Sequence, residues 1–389
     1  MPLRLSSFRI PTLPARLPQP WHWLLLIALS VLIGGALEAM RLPAALLLGP
    51  LLAAIVAQNV GARVALPAHG TKVAQAVIGC LIARAITPQI LHGFAAQWPL
   101  FVGITLATLA LSGGIGWIVT RMGVVPGTTA IWGLLPGGAN TMVLMAEEFG
   151  ADARLVAFMQ YLRVLFVTVI ASLLAKALSH GHASPATAPS WFPPIPLQPF
   201  IETLALIALG VIAGRASRLP NGVMFLPMLV GSALHAAGLV AIELPPWLLA
   251  GTYLFLGWNI GLRFTRPVIA SAGRALLPTV LSILAMIGFS GLLAVLLVVG
   301  LGTEPLAAYL ATSPGGADSV AVIAASSHVD SGFVMAFQTA RLLAVMLLGP
   351  LMSRFIASRV APRGAAIPPQ VAAKAAVARD EAQRLGNVD

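Results

Sequence analysis

Two short stretches, LLPGGANTM at 134–142 and TSPGGADSV at 312–320, set a Pro-Gly-Gly triplet inside apolar runs of the kind that form membrane helices. Proline lacks a backbone donor and clashes with the preceding turn, and glycine is a poor helix former, so both helices are expected to break there. The half-helix that resumes after each break offers free N–H groups and the positive end of its dipole, an environment that favours an anion or a carboxylate. The two stretches align at an offset of 178, with Asn140 standing where Asp318 stands in the second copy. Only one of the pair can ionise, which makes Asp318 the candidate for binding a proton or a cation. Pro136, Gly137, Gly138 and Asn140 frame one side of this centre, and Pro314, Gly315, Gly316 and Asp318 the other. A plainer role for Asn140 and Asp318 is N-capping of the half-helices, which their residue types favour and which is compatible with binding.

The same offset pairs Gln160 with Gln338 and Arg163 with Arg341. Each arginine lies nine or ten residues into an apolar helix, too far from an end for the head group to reach water along its own stem. Gln and Arg three residues apart share a helix face, so each half carries a polar stripe that must face the protein interior. Two chemistries suit it: satisfying carbonyls freed by the neighbouring break, or holding an anionic substrate. Asp152 and Asp330 also pair, whereas Glu147 and Glu148 face Ala325 and Ser326 and read as a solvated helix end.

The elements that must position these residues are apolar helices. The 389 residues are 58% hydrophobic and 9% charged, with runs of about the 20 residues needed to cross a bilayer core. Apolar segments fall near 21–38, 43–59, 72–88, 95–120, 125–147 and 153–178, and again near 199–214, 220–238, 246–262, 275–300, 305–326 and 332–358. RLP at 41–43 and at 218–220, Pro50 with Pro227, and Gly79 with Gly257 extend the duplication upstream. The organisation expected is a cytoplasmic N-terminal segment (1–20), a first membrane repeat (21–178), a proline-rich linker (179–198), a second repeat (199–358) and a cytoplasmic tail (359–389). Within the tail, KAAVARDEAQRL has the composition of a short soluble helix.

Net charge of +11 would suggest nucleic acid in a soluble domain, but here the basic residues sit in short segments between apolar runs and report topology. If the PGG segment of each half enters and returns on one side instead of crossing, 18 of the 23 Lys and Arg fall on the cytoplasmic face, only Arg41, Arg84 and Lys176 fall outside, and Arg163 and Arg341 lie within the membrane. Six full crossings per half give a poorer 13 against eight. The expectation is an all-α polytopic membrane protein of two inverted repeats. It has about ten crossings plus two broken or re-entrant PGG helices, and both termini are cytoplasmic, in the inner (plasma) membrane of a bacterium. One cysteine, scattered histidines and the absence of phosphate loops or nucleophile elbows leave no metal site, no cofactor and no enzyme activity to expect.

LPAALLLGPLLAA, PGGANTMVLMAEEFGAD and FMQYLRVLFV resemble the membrane AbrB duplication family, over about residues 21–358. Members of that family are also labelled ammonia monooxygenases. The resemblance implies regulation of gene expression or ammonia oxidation, yet no helix-turn-helix, basic DNA face or histidine cluster is visible to carry either. PGGAN followed by Gly-Ala-Asp is also similar to the broken helix of bile-acid sodium symporters and related antiporters, although Ala139 stands where those proteins usually carry serine. In that group the broken helices cross the membrane and meet near its centre. The resulting expectation is a secondary transporter or exporter of an unidentified small molecule. A membrane-embedded regulator is the alternative, and an oxidoreductase subunit a third. The partners expected are the lipid bilayer and a small-molecule or ion substrate, without nucleic acid, and with homo-oligomerisation left open.

Overall fold

The computed structural model describes residues 18–40, 42, 44–86, 98–137, 142, 143, 146, 150–178, 191–217 and 222–360. Gly138, Asn140, Glu147, Glu148, most of the linker and the tail beyond 360 lie outside them. The described residues form fourteen α-helices and no strand. In chain order these are α1 (Gln19–Ala39), α2 (Ala45–Val60), α3 (Ala68–Ala85), α4 (Trp98–Arg121), α5 (Thr129–Leu134) and α6 (Ala153–Leu178). The second half gives α7 (Leu197–Ala216), α8 (Gly222–Ala236), α9 (Pro246–Gly261), α10 (Arg266–Ala272), α11 (Leu276–Leu301), α12 (Pro305–Thr312), α13 (Ala317–Ser326) and α14 (Ser331–Val360).

Five of them, α1, α4, α6, α7 and α11, are long and apolar enough to cross a membrane. They carry the outward apolar surface, with Val31 70% and Val299 80% exposed. The shorter α2, α3, α8 and α9 pack in the middle, and they pack across the duplication: α2 lies against α9 as α8 lies against α3. In lipid there is no hydrophobic drive to bring helices together, so close approach depends on small residues. Gly79 and Gly257 supply it. A Cβ on Gly79 would sit 2.4 Å from the Met224 carbonyl oxygen, and one on Gly257 would sit 2.6 Å from that of Leu47. Pro227 and Pro50, inside α8 and α2, complete the two matched crossings. The residues that pair along the sequence thus make the same contact twice.

Helix ends depart from the expected segments where local chemistry moves them. α3 begins at Ala68 because Pro67, in extended conformation, stands at its N-cap. Asp152 and Asp330 stand just before α6 and α14. The Asp152 Oδ1 accepts from the Arg154 and Leu155 amides, and the Asp330 Oδ1 from that of Phe333. The paired aspartates therefore serve as helix caps. The short α10 was not among the expected segments; Thr265 caps it by accepting from the Val268 amide.

Candidate functional site

Both PGG helices are broken. α5 ends at Leu134 and α12 at Thr312, and the next residues, Leu135 and Ser313, are extended with ψ of 126° and 137°. Each precedes a proline, which excludes the helical region for the residue before it. The prolines also remove specific donors. The Trp132 carbonyl would take its helical hydrogen bond from residue 136 and that of Leu310 from residue 314, and both positions are proline.

The glutamines replace those donors. Gln160 Nε2 donates to the Trp132 carbonyl at 2.7 Å and to that of Leu135 at 3.0 Å. Gln338 Nε2 donates to Leu310 at 2.7 Å and to Ser313 at 3.2 Å. The arginines finish the bracket. Arg163 donates to the Leu135 carbonyl at 2.8 Å and to Gln160 Oε1 at 2.7 Å. Arg341 donates to the Ser313 carbonyl and to Gln338 Oε1, and reaches Gly315 at 3.0 Å. The QxxR stripe of each half therefore binds the carbonyls that its own break sets free, so buried acceptors are not left unpaired.

The breaks meet. A cavity of about 90 Å³ is lined by Pro136 and Gly137 from the first and by Gly315, Gly316 and Asp318 from the second, with Gln338 and Arg341 at its wall. Gln160 and Arg163 do not reach it; both are fully buried behind the first break. Pro314 is buried within the second break and is absent from the lining. Asp318 does not stand at the N-cap of α13. Gly316 does, in extended conformation, and Asp318 follows in the first turn, half-buried and facing the cavity. The glycine takes the boundary because the break ends there.

Four polar lining residues escaped the sequence reading: Gln75 on α3, Asn259 on α9, Tyr161 on α6 and Ser319 on α13. The duplication hides the first two, since Gln75 pairs with Tyr253 and Asn259 with Leu81. Their signal was polarity alone, a glutamine and an asparagine within helices that are otherwise mostly apolar. Among the described residues no three His, Cys, Asp or Glu side chains gather in a way that could hold a metal ion, and the lone Cys80 is buried in α3.

A helical bundle with two bracketed helix breaks around a small polar cavity has relatives of known sequence. The family described as transition state regulatory protein AbrB matches residues 46–357. A protein of Escherichia coli K12 named "Putative regulator AbrB" is 44% identical over 348 residues, covering 88% of this chain and 99% of that protein. A second relative, the uncharacterized protein YhjN of Bacillus subtilis 168, is 26% identical over 303 residues, covering 72% of this chain and 77% of its own length. This chain belongs to the AbrB family. No solved structure matches it.

Proposed function

We propose that this protein is a secondary transporter or exporter of a small molecule, working in the bacterial inner membrane with both termini in the cytoplasm. The observation that carries this reading is the cavity where the two helix breaks meet, with a single carboxylate, Asp318, in the first turn of a half-helix. In this reading the halves are inverted repeats of five crossings each, with the PGG segments entering from opposite faces. Paired discontinuous helices at the centre of a duplication are the arrangement by which many secondary transporters bind substrate and coupling ion. Asp318 carries a proton or a cation, and the two Gln-Arg brackets keep the breaks open while the surrounding helices move. The chain performs no covalent chemistry and uses no cofactor.

The names of the family and of the E. coli relative speak of regulation. A regulatory role would need a surface for a cytoplasmic partner, and the tail after Arg359 is the segment available for it. Deleting that tail separates the two readings, because transport survives the deletion and a regulatory phenotype does not.

The decisive experiment is reconstitution in liposomes under an imposed proton or sodium gradient. Wild-type protein moves solute in response to the gradient, and Asp318→Asn loses gradient-driven movement while eluting as a folded species on size exclusion. Equal gradient-driven transport by wild type and Asp318→Asn would sink the assignment.

A further inference from the structure

The central cavity is not isolated. Gln75 and Asn259, half-buried at its wall, also line a second space of about 460 Å³ that is bounded by Lys72 and Arg263. A third, of about 540 Å³, shares Arg263 with the second and Tyr161 with the first, and adds Arg154. Arg263 lies with its guanidinium carbon 5.6 Å from the centre of the Tyr161 ring, so a cation over an aromatic face lines the third space, with Arg263 also bordering the second and Tyr161 the central cavity. Among the described residues, the linings of the two outer spaces contain Lys72, Arg154 and Arg263 and no Asp or Glu. Clefts lined by one sign of charge concentrate solutes of the other sign.

Inside, two independent features point the same way. The first turn of the ten-residue helix α13 faces the cavity through Gly316, Ala317, Asp318 and Ser319. Arg341 lines the same cavity, is 5% exposed, and has a buried Nε–H without a hydrogen-bond partner. The bracket around the second break thus engages the two terminal nitrogens of Arg341 and leaves its Nε–H over, as the first bracket leaves that of Arg163, but only Arg341 borders the cavity.

We propose that the substrate is a small organic anion with a carboxylate-type group. It enters from the face bearing Lys72, Arg154 and Arg263, passes between Gln75 and Asn259, and binds between Arg341 and the first turn of α13. This rests on the transporter reading above and gives its substrate a chemical class and a route. By the distribution of basic residues the entry face is the cytoplasmic one. Size restricts the ligand: at roughly 15 Å³ per water-sized site, the cavity holds about six such sites, room for a few-carbon acid and not for a lipid chain. The carboxylate of Asp318 shares the cavity and repels a second negative charge unless it carries a proton or cation. Anion and coupling ion therefore bind together, which is what ties solute movement to a gradient.

The test needs no knowledge of the natural substrate and no transport. In a Cys80→Ala background, a cysteine introduced by Asn259→Cys is exposed, in detergent-purified full-length protein, to an anionic sulfonatoethyl methanethiosulfonate and a cationic trimethylammonium-ethyl one. Rates are normalised to those with a free small thiol. The anionic reagent is expected to react at least tenfold faster than the cationic, with the ratio falling towards one in Lys72→Gln/Arg263→Gln. Acetate, pyruvate or succinate is expected to slow labelling of Ser319→Cys, and to lose that effect in Arg341→Gln. A normalised ratio of one or less, no labelling of Asn259→Cys by either reagent, or no protection by any of the three acids overturns the proposal. Failure here leaves gradient-driven transport to be judged by its own experiment, and failure of transport leaves these rates unaltered.

Discussion

The two helix breaks have the same bracket and opposite surroundings. In the first half, Gln160 and Arg163 tie down Trp132 and Leu135 and are sealed from the cavity. In the second, Gln338 and Arg341 make the matching bonds to Leu310 and Ser313, yet both line the cavity beside Asp318. Thr312 and Ser290 add an exchange between α12 and α11, each hydroxyl donating to the carbonyl of the other residue. The counterpart of Ser290, Ser112, only bonds back to its own helix at Thr108. Duplication thus preserved the scaffold that holds each helix broken, while most polar groups that border the cavity, Asn259, Asp318, Ser319, Gln338 and Arg341, come from the second half. A residue repeated in both halves is first a solution to a shared structural problem; a residue unique to one half is where a distinct function can lie.

Breaking both brackets is the severest way to test that equivalence. Gln160→Leu/Arg163→Leu and Gln338→Leu/Arg341→Leu each strand buried carbonyls, at about 1–3 kcal/mol for every acceptor left without a donor. Both doubles are expected to fail to give monodisperse folded protein on size exclusion. A first-half double that folds normally would show that only the second bracket is structural.

Next in size is the pair of glycine crossings. Gly79→Val and Gly257→Val push a side chain into backbone at 2.4 Å and 2.6 Å, and overpacking of this kind costs about 1–3 kcal/mol. Thermal melts in detergent should fall by similar amounts for the two, since the contacts match. A drop confined to one would mean that the two crossings bear unequal load.

The smallest effect belongs to the helix caps. Asp152→Ala and Asp330→Ala should each cost about 1 kcal/mol, the loss typical of a cap. Asp152→Ala is expected to be the larger, because its carboxylate accepts from two amides and that of Asp330 from one. A reversed order in denaturant unfolding would break the geometric ranking.

Much of this was legible in the sequence because it concerns backbone chemistry, which acts locally. Pro136 and Pro314 break helices wherever they stand, and an arginine ten residues into an apolar helix must find an acceptor. Capping by Asp318 was legible as an option but is not what the helix uses, since only the path of the chain through the break shows Gly316 at the boundary. Gln75, Asn259 and Ser319 were missed for a related reason. Gln75 and Asn259 come from helices distant in sequence and have no polar match at their paired positions except Tyr253, whereas Ser319 pairs with Thr141 but was overshadowed by its neighbour Asp318; one polar side chain in an apolar helix has many uses.

The sequence by itself determined the helical class, the duplication, the positions of both breaks and the need for buried partners for Arg163 and Arg341. Each of these follows from residue type and spacing through forces that reach no farther than a turn or two of helix. Only the tertiary structure decided that the breaks meet, that Arg163 is sealed while Arg341 borders a cavity, and that Lys72 and Arg263 line a second space sharing Gln75 and Asn259 with it. Those facts depend on how α3, α6, α9 and α13 pack against one another. In an interior where nearly every side chain is apolar, polarity alone does not dictate that packing, and close approach at small residues such as Gly79 on α3 and Gly257 on α9 contributes to it.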